Sequence, residues 1–126
     1  MDMPAGATHA DRKDVELLYV EKSLNAMPLD IELDIKNRMM YWTDRNQNKV
    51  FGMGMDMPAG QDPMTRTDVK TIASNLTQAI GLGLDHENGM LYVTASGSVY
   101  QVKVDGSGLK MIGSSGSTGI HFTKIP

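Results

Sequence analysis

The sequence predicts an all-β chain assembled from repeated four-stranded units. Three observations predict it: segments that recur in one order at a nearly fixed spacing, apolar–polar alternation over short runs, and turn-forming clusters between those runs. MDMPAG at 1–6 returns at 55–60, an offset of 54 residues that Asp14-Val15 and Asp68-Val69 share. LDIELD (29–34) matches IGLGLD (80–85), and MMYWTD (39–44) matches MLYVTA (90–95), both at an offset of 51. KVFGMGMD (49–56) matches SVYQVKVDG (98–106), VKTI (69–72) matches LKMI (109–112), and AIGLGL (79–84) matches STGIHF (117–122).

Each unit divides into four short strands. In the first full unit they are expected at about 29–34, 38–44, 49–55 and 69–73, and in the second at about 80–84, 90–95, 98–104 and 109–113. Leu29, Ile31 and Leu33 alternate with Asp30, Glu32 and Asp34; Val99, Gln101 and Lys103 alternate with Tyr100, Val102 and Val104. KNR, DRNQN, HENG, ASGS and DGSG punctuate the runs with turn formers. Segment 64–80 comes nearest to a helix, but Thr65, Thr67, Val69, Thr71 and Ile72 favour extension. Four antiparallel strands per repeat is the signature of propeller blades.

Composition narrows the function. The 126 residues are 40% hydrophobic and 21% charged with a formal net charge of −3, a globular composition without the basic face that phosphate backbones require. Nucleic acid is therefore not an expected partner. No apolar run is long enough for a membrane-spanning helix. The chain has no Cys, so disulfides and thiolate metal sites are excluded. The first twenty residues lack the charged start and apolar core of a secretory signal, and a cytoplasmic location is expected if the chain is complete.

The repeat residues resemble the YWTD repeats, also called low-density-lipoprotein-receptor class B repeats. Pro28 through Asp34, Met40-Tyr41-Trp42-Thr43-Asp44 and Val50 through Asp56 carry the resemblance in the first copy. Gly81 through Asp85, Leu91-Tyr92-Val93-Thr94 and Val99 through Gly106 carry it in the second, which departs at Val93 and Ala95, where the family has Trp and Asp. MDMPAG, LDIELDIKNRMMYWTDR and GSTGIHF also resemble stand-alone fungal-type proteins of this kind. The resemblance implies a closed six-bladed ring, of which this chain supplies a partial β-propeller: about two full four-stranded blades plus flanking outer and inner strands. Residues 1–28 are expected to hold the outer strand of a preceding blade (about 15–20) and a loop, 29–79 the first full blade, 80–116 the second, and 117–126 the inner strand (about 119–124) of a ring-closing blade. Such a chain is expected to be the C-terminal portion of a longer propeller, self-associating or pairing with a missing propeller half because its end blades lack neighbours.

Innermost strands line a propeller's channel. Aligned, they superpose Asp30 on Gly81 and Gly119, and Glu32 on Gly83 and His121. Glu32 and His121 are thus the candidate channel pair for binding a polar ligand or moving a proton, the alternative being polar side chains wetted by channel water. Asp30, Arg45 and Arg66 complete the ligand-binding candidates. Tyr41, Trp42, Thr43 and Asp44, with Tyr92 and Thr94, read as architecture: aromatic surface between sheets and a carboxylate that caps a turn. Asp34, Asp56, Asp85 and Asp105 read as turn caps as well. Calcium is the alternative that six-bladed lactone-hydrolysing rings imply, but no cluster with the oxygen count of a calcium site is visible, and no cofactor is expected. Long loop 56–68 reads either as a tolerated insertion or as a binding loop. The expected function is a non-enzymatic module that binds a protein, peptide or small polar ligand through blade loops and the channel mouth. Alternatives are a propeller enzyme performing lactone hydrolysis, cyclisation or isomerisation in the channel, and an inactive fragment of a longer propeller.

Overall fold

The computed structural model describes residues 14–114. Among them are eight strands and no helix: β1 (Pro28–Asp34), β2 (Met39–Asp44), β3 (Lys49–Gly54), β4 (Lys70–Ala73), β5 (Ala79–Asp85), β6 (Met90–Ala95), β7 (Ser98–Lys103) and β8 (Lys110–Ser114). They form two antiparallel meanders, β1-β2-β3-β4 and β5-β6-β7-β8, with strand limits close to those expected from the sequence. The inner strand expected at 119–124 lies outside the described residues. The outer strand expected at about 15–20 does not pair: these residues join no ladder, because no strand among the described residues lies beside them. Instead Leu18 and Tyr19 pack on Trp42, Phe51 and Met53.

Both sheets carry the same irregularities at equivalent places. The register shifts between Pro28 and Ile31 in β1 and between Ala79 and Leu82 in β5, and again between Val50 and Phe51 and between Val99 and Tyr100. A bulge leaves a backbone donor without its ladder partner. Here the repeat's threonine supplies one. Asp30 N–H donates to Thr43 Oγ1 (3.2 Å), and Gly81 N–H donates to Thr94 Oγ1 (2.9 Å).

The two blades share one apolar seam. Tyr41, Val50, Ile72, Ala73 and Leu76 of the first pack against Leu82, Leu84, Leu91, Val93 and Val102 of the second. Removing each of these larger side chains from water contributes about 1.5–3 kcal/mol. Gly52 makes room for the seam: a Cβ there would lie 2.9 Å from Tyr41 Cδ1 and 3.2 Å from Ile72 Cδ1. Polar ties cross the same boundary. Thr43 Oγ1 donates to the Ile80 carbonyl (2.7 Å), and the Asp30 carboxylate accepts from Leu82 N–H (2.9 Å). Trp42, one residue on from Tyr41, faces the opposite side, where it stacks on Phe51 (5.6 Å between centroids) and meets Tyr19 at 5.9 Å.

Thr43→Val preserves volume but leaves the Asp30 N–H and the Ile80 carbonyl, both partly buried, without partners. It should cost about 1–3 kcal/mol. Urea unfolding reads this as a lower midpoint at unchanged slope.

Candidate binding surface at the loop rim

Strand direction sorts the connections onto two rims. Turn 35–38, loop 55–69, turn 86–89 and turn 104–109 emerge at one rim; residues 21–27, turn 45–48, segment 74–78 and turn 96–97 lie at the other. The first rim is continuous across the blades, with His86 Nδ1 3.8 Å from Asp34 Oδ1.

Aspartates that end strands clamp the four-residue turns. Asp34 Oδ1 accepts from Asn37 N–H (3.1 Å) while Asn37 Nδ2 donates to Oδ2 (2.8 Å). Asp85 repeats this with Asn88, whose Nδ2 lies 2.7 Å from Oδ2. Asp44 accepts from the N–H groups of Asn46 and Gln47 and from Gln47 Nε2 (2.9 Å), and both its oxygens also accept from Met27 N–H, at 3.0 and 3.1 Å. Burial pushes Asp44 upward, yet the donors from Gln47, Met27 and Asn46 hold it below the usual carboxylate range. Asp34 is held low first by the Asn37 amide, against burial, with further help from the Asn37 N–H and His86. Ala95 replaces the clamp in the second blade because its turn is only Ser96-Gly97, both at positive φ (48° and 79°), a tight hairpin with no long loop to hold.

Loop 56–68 is organised around Arg66. Its buried guanidinium forks onto Asp68, with Nε to Oδ1 and Nη2 to Oδ2 both at 2.7 Å. Nη1 donates to the Leu18 carbonyl (2.9 Å), and Nη2 to the carbonyls of Gly54 (2.8 Å) and Asp56 (3.2 Å). Asp68 also accepts from Gly54 N–H (3.0 Å). The Arg66 hydrogen bonds hold Asp68 below the ordinary carboxylate range against partial burial, and Asp68 raises Arg66 in return. Further out, Asp62 Oδ1 accepts from Met64 and Thr65 N–H, Gln61 pairs with Thr67, and Arg38 bridges to Asp56 (2.7 Å) across the exposed rim. The tip leaves Ala59, Gly60 and Met64 in water, and turn 35–38 on the same rim leaves Ile35 and Lys36 exposed.

The sequence candidates therefore separate. Arg66 forms the loop clamp, every nitrogen of its fork having an acceptor. Asp30 ties the blades: Oδ2 holds Leu82 N–H and Oδ1 accepts from Ile31 N–H (2.9 Å). Arg45 sits at the opposite rim from loop 56–68, half-buried, its Nη1 4.0 Å from Met27 Sδ. Glu32 lies half-buried on β1 opposite Tyr41, and His121, its proposed channel partner, lies outside the described residues. DGSG (105–108) leads into β8 and rests on the first blade: a Cβ on Gly106 would stand 3.0 Å from the Ile72 carbonyl oxygen. No group of three or more His, Cys, Asp or Glu able to hold a metal gathers among the described residues.

Two up-and-down four-stranded sheets packed face to face, the Tyr41 face of one on the Val93 face of the other, define a pair of propeller blades. No family model matches the chain. It is 35% identical over 91 residues to low-density lipoprotein receptor-related protein 1 of Pyricularia oryzae, covering 68% of this chain and 29% of that protein. It is 32% identical over 117 residues to a 3-hydroxyacyl-CoA dehydrogenase-like protein of Cochliobolus heterostrophus, covering 85% of this chain and 24% of the relative. Among solved structures it is similar to a chain in the crystal structure of a nidogen/laminin complex, with a TM-score of 0.56, 20% identity, and coverage of 69% of this chain and 31% of the other. The chain belongs to the YWTD, or low-density-lipoprotein-receptor class B, repeat propeller family, and spans under a third of the length of these curated relatives.

Arg66→Met should strand Asp68 and three carbonyls and cost about 3 kcal/mol, the low end for a broken buried pair because the Asp68 side chain keeps 29% exposure. Chemical denaturation measures it, and Arg66→Lys should recover little, since an ammonium cannot fork. Asp34, Asp44 and Asp68 all sit below their unfolded values. Their contribution is thus fully present above the unfolded value of about 4 and lost as pH falls through the lower folded values. Thermal unfolding followed against pH should show a declining acid limb below about pH 4 that Asp44→Asn makes shallower.

Proposed function

We propose that the chain is a non-enzymatic module that binds a protein or peptide through the rim carrying loop 56–68 and turn 35–38. One observation carries the reading: the Arg66–Asp68 clamp fixes both ends of a long loop while its tip presents Met64 in solvent, half exposed. A rigid base with an exposed apolar anchor lowers the ordering cost of binding. Exposed Ile35 adds a second anchor on the same rim, and the Arg38–Asp56 pair supplies a polar margin. The family membership supports the reading, as does the assembly of nidogen with laminin seen for the structural neighbour. A dinucleotide site has no support: a dehydrogenase cradle needs a strand–helix–strand unit, and the described residues contain no helix.

Selection of a displayed random-peptide library on the intact chain tests this. Enriched peptides should lose about tenfold or more in affinity to Met64→Asp, a surface change that leaves the clamp alone. Peptides that bind the variant and the parent equally would reject the rim as the binding surface.

A further inference from the structure

The repeat supplies its own template for what the first blade's outer face should touch. In the second blade, Leu82, Leu84, Leu91, Val93 and Val102 are covered by the first. Their equivalents are Ile31, Leu33, Met40, Trp42 and Met53. Leu82 and Leu84 are 0% and 4% exposed, whereas Ile31 and Leu33 are 51% and 41% exposed. Beside them, Leu18, Tyr19, Pro28, Leu29, Ile31 and Trp42 help line an open groove of about 480 Å³. Residues 14–20 already occupy the outer part of this face in the manner the template dictates. By the 54-residue offset Leu18 corresponds to Ile72, and each packs on the next blade's core.

Covering the second blade takes Tyr41, Val50 and Ile72. Their equivalents on the second blade's own outer face are Tyr92, Val99 and Ile112, of which Ile112 is 47% exposed. The chain therefore presents both halves of one apolar contact, at opposite ends. The signs of the charges agree: Glu16 and Glu21 line the groove, and Lys103 and Lys110 are exposed on β7 and β8. We propose that the open face of the first blade docks the second blade of another copy of this chain, head to tail, with residues 14–20 as a displaceable strap over the outer part of the site. Gln101 stands where Gly52 admits the Tyr41 ring, so the docking face is more polar than its template and the association is concentration-dependent. A head-to-tail contact is heterologous and propagates until a ring closes.

Light scattering on the intact chain over a concentration series tests this, with two exposed-site variants, Ile31→Asp and Ile112→Asp. The parent should grow beyond a dimer, and each variant alone should remain monomeric with unchanged circular dichroism. Mixed in equal amounts, the two variants should form a dimer and nothing larger, because each keeps one competent face. A parent that stays monomeric at the highest concentration, an Ile112→Asp variant that still dimerises alone, or a mixture that stays monomeric would each overturn the proposal. Loss of the mixed dimer's stability at raised salt would locate the charge contribution.

Discussion

A four-stranded sheet cannot bury its own faces. Each blade here depends on an adjacent blade to remove one apolar surface from water, and this requirement organises everything else. Tyr41 and Ile72 meet over Gly52 because the seam demands close approach, and Thr43 and Asp30 reach across because buried backbone groups at a boundary need acceptors and donors. The mainly apolar seam supplies the driving force, while the polar ties fix how the sheets align.

The four letters of the repeat motif divide the work by face and by height along the strand. Tyr41 looks toward the second blade and Trp42 away from it, as alternation requires. Thr43 repairs a bulge and links the sheets. Asp44 holds the turn that follows. The second copy shows which of these duties depend on context. Thr94 is retained because its bulge is retained. Ala95 suffices because two turn residues have gone, and Val93 fills a seam already closed by another sheet.

Much of the fold was legible in the sequence because strand length, alternation and turn chemistry are local. The strand limits followed from runs such as LDIELD and breaks such as HENG. What was hidden needs register. Nothing within MMYWTD shows that Thr43 answers a bulge near Asp30 on another strand. Arg66 reads as a ligand-binding candidate because its neighbours, DPMTRTD, are polar; its acceptors at Leu18, Gly54 and Asp56 are distant in sequence. The one local hint was Asp68, two residues on, where an extended chain puts both side chains on one side. Residues 15–20 read as a strand by composition, yet pairing needs a neighbour; side-chain packing holds them, with Arg66 on the Leu18 carbonyl and Val20 N–H on the Pro63 carbonyl.

The Arg66 clamp also separates two kinds of sequence change. The fork on Asp68 and the Gly54 and Asp56 carbonyls anchor the base of the loop to the sheet, and the tie from its outer part, Val20 N–H to the Pro63 carbonyl, reaches residues 14–20 rather than a strand. Residues between Met57 and Thr65 can therefore drift, lengthen or be exchanged as a cassette, with the blade acting as an indifferent chassis. Such an arrangement lets recognition diversify among descendants while the scaffold stays constant.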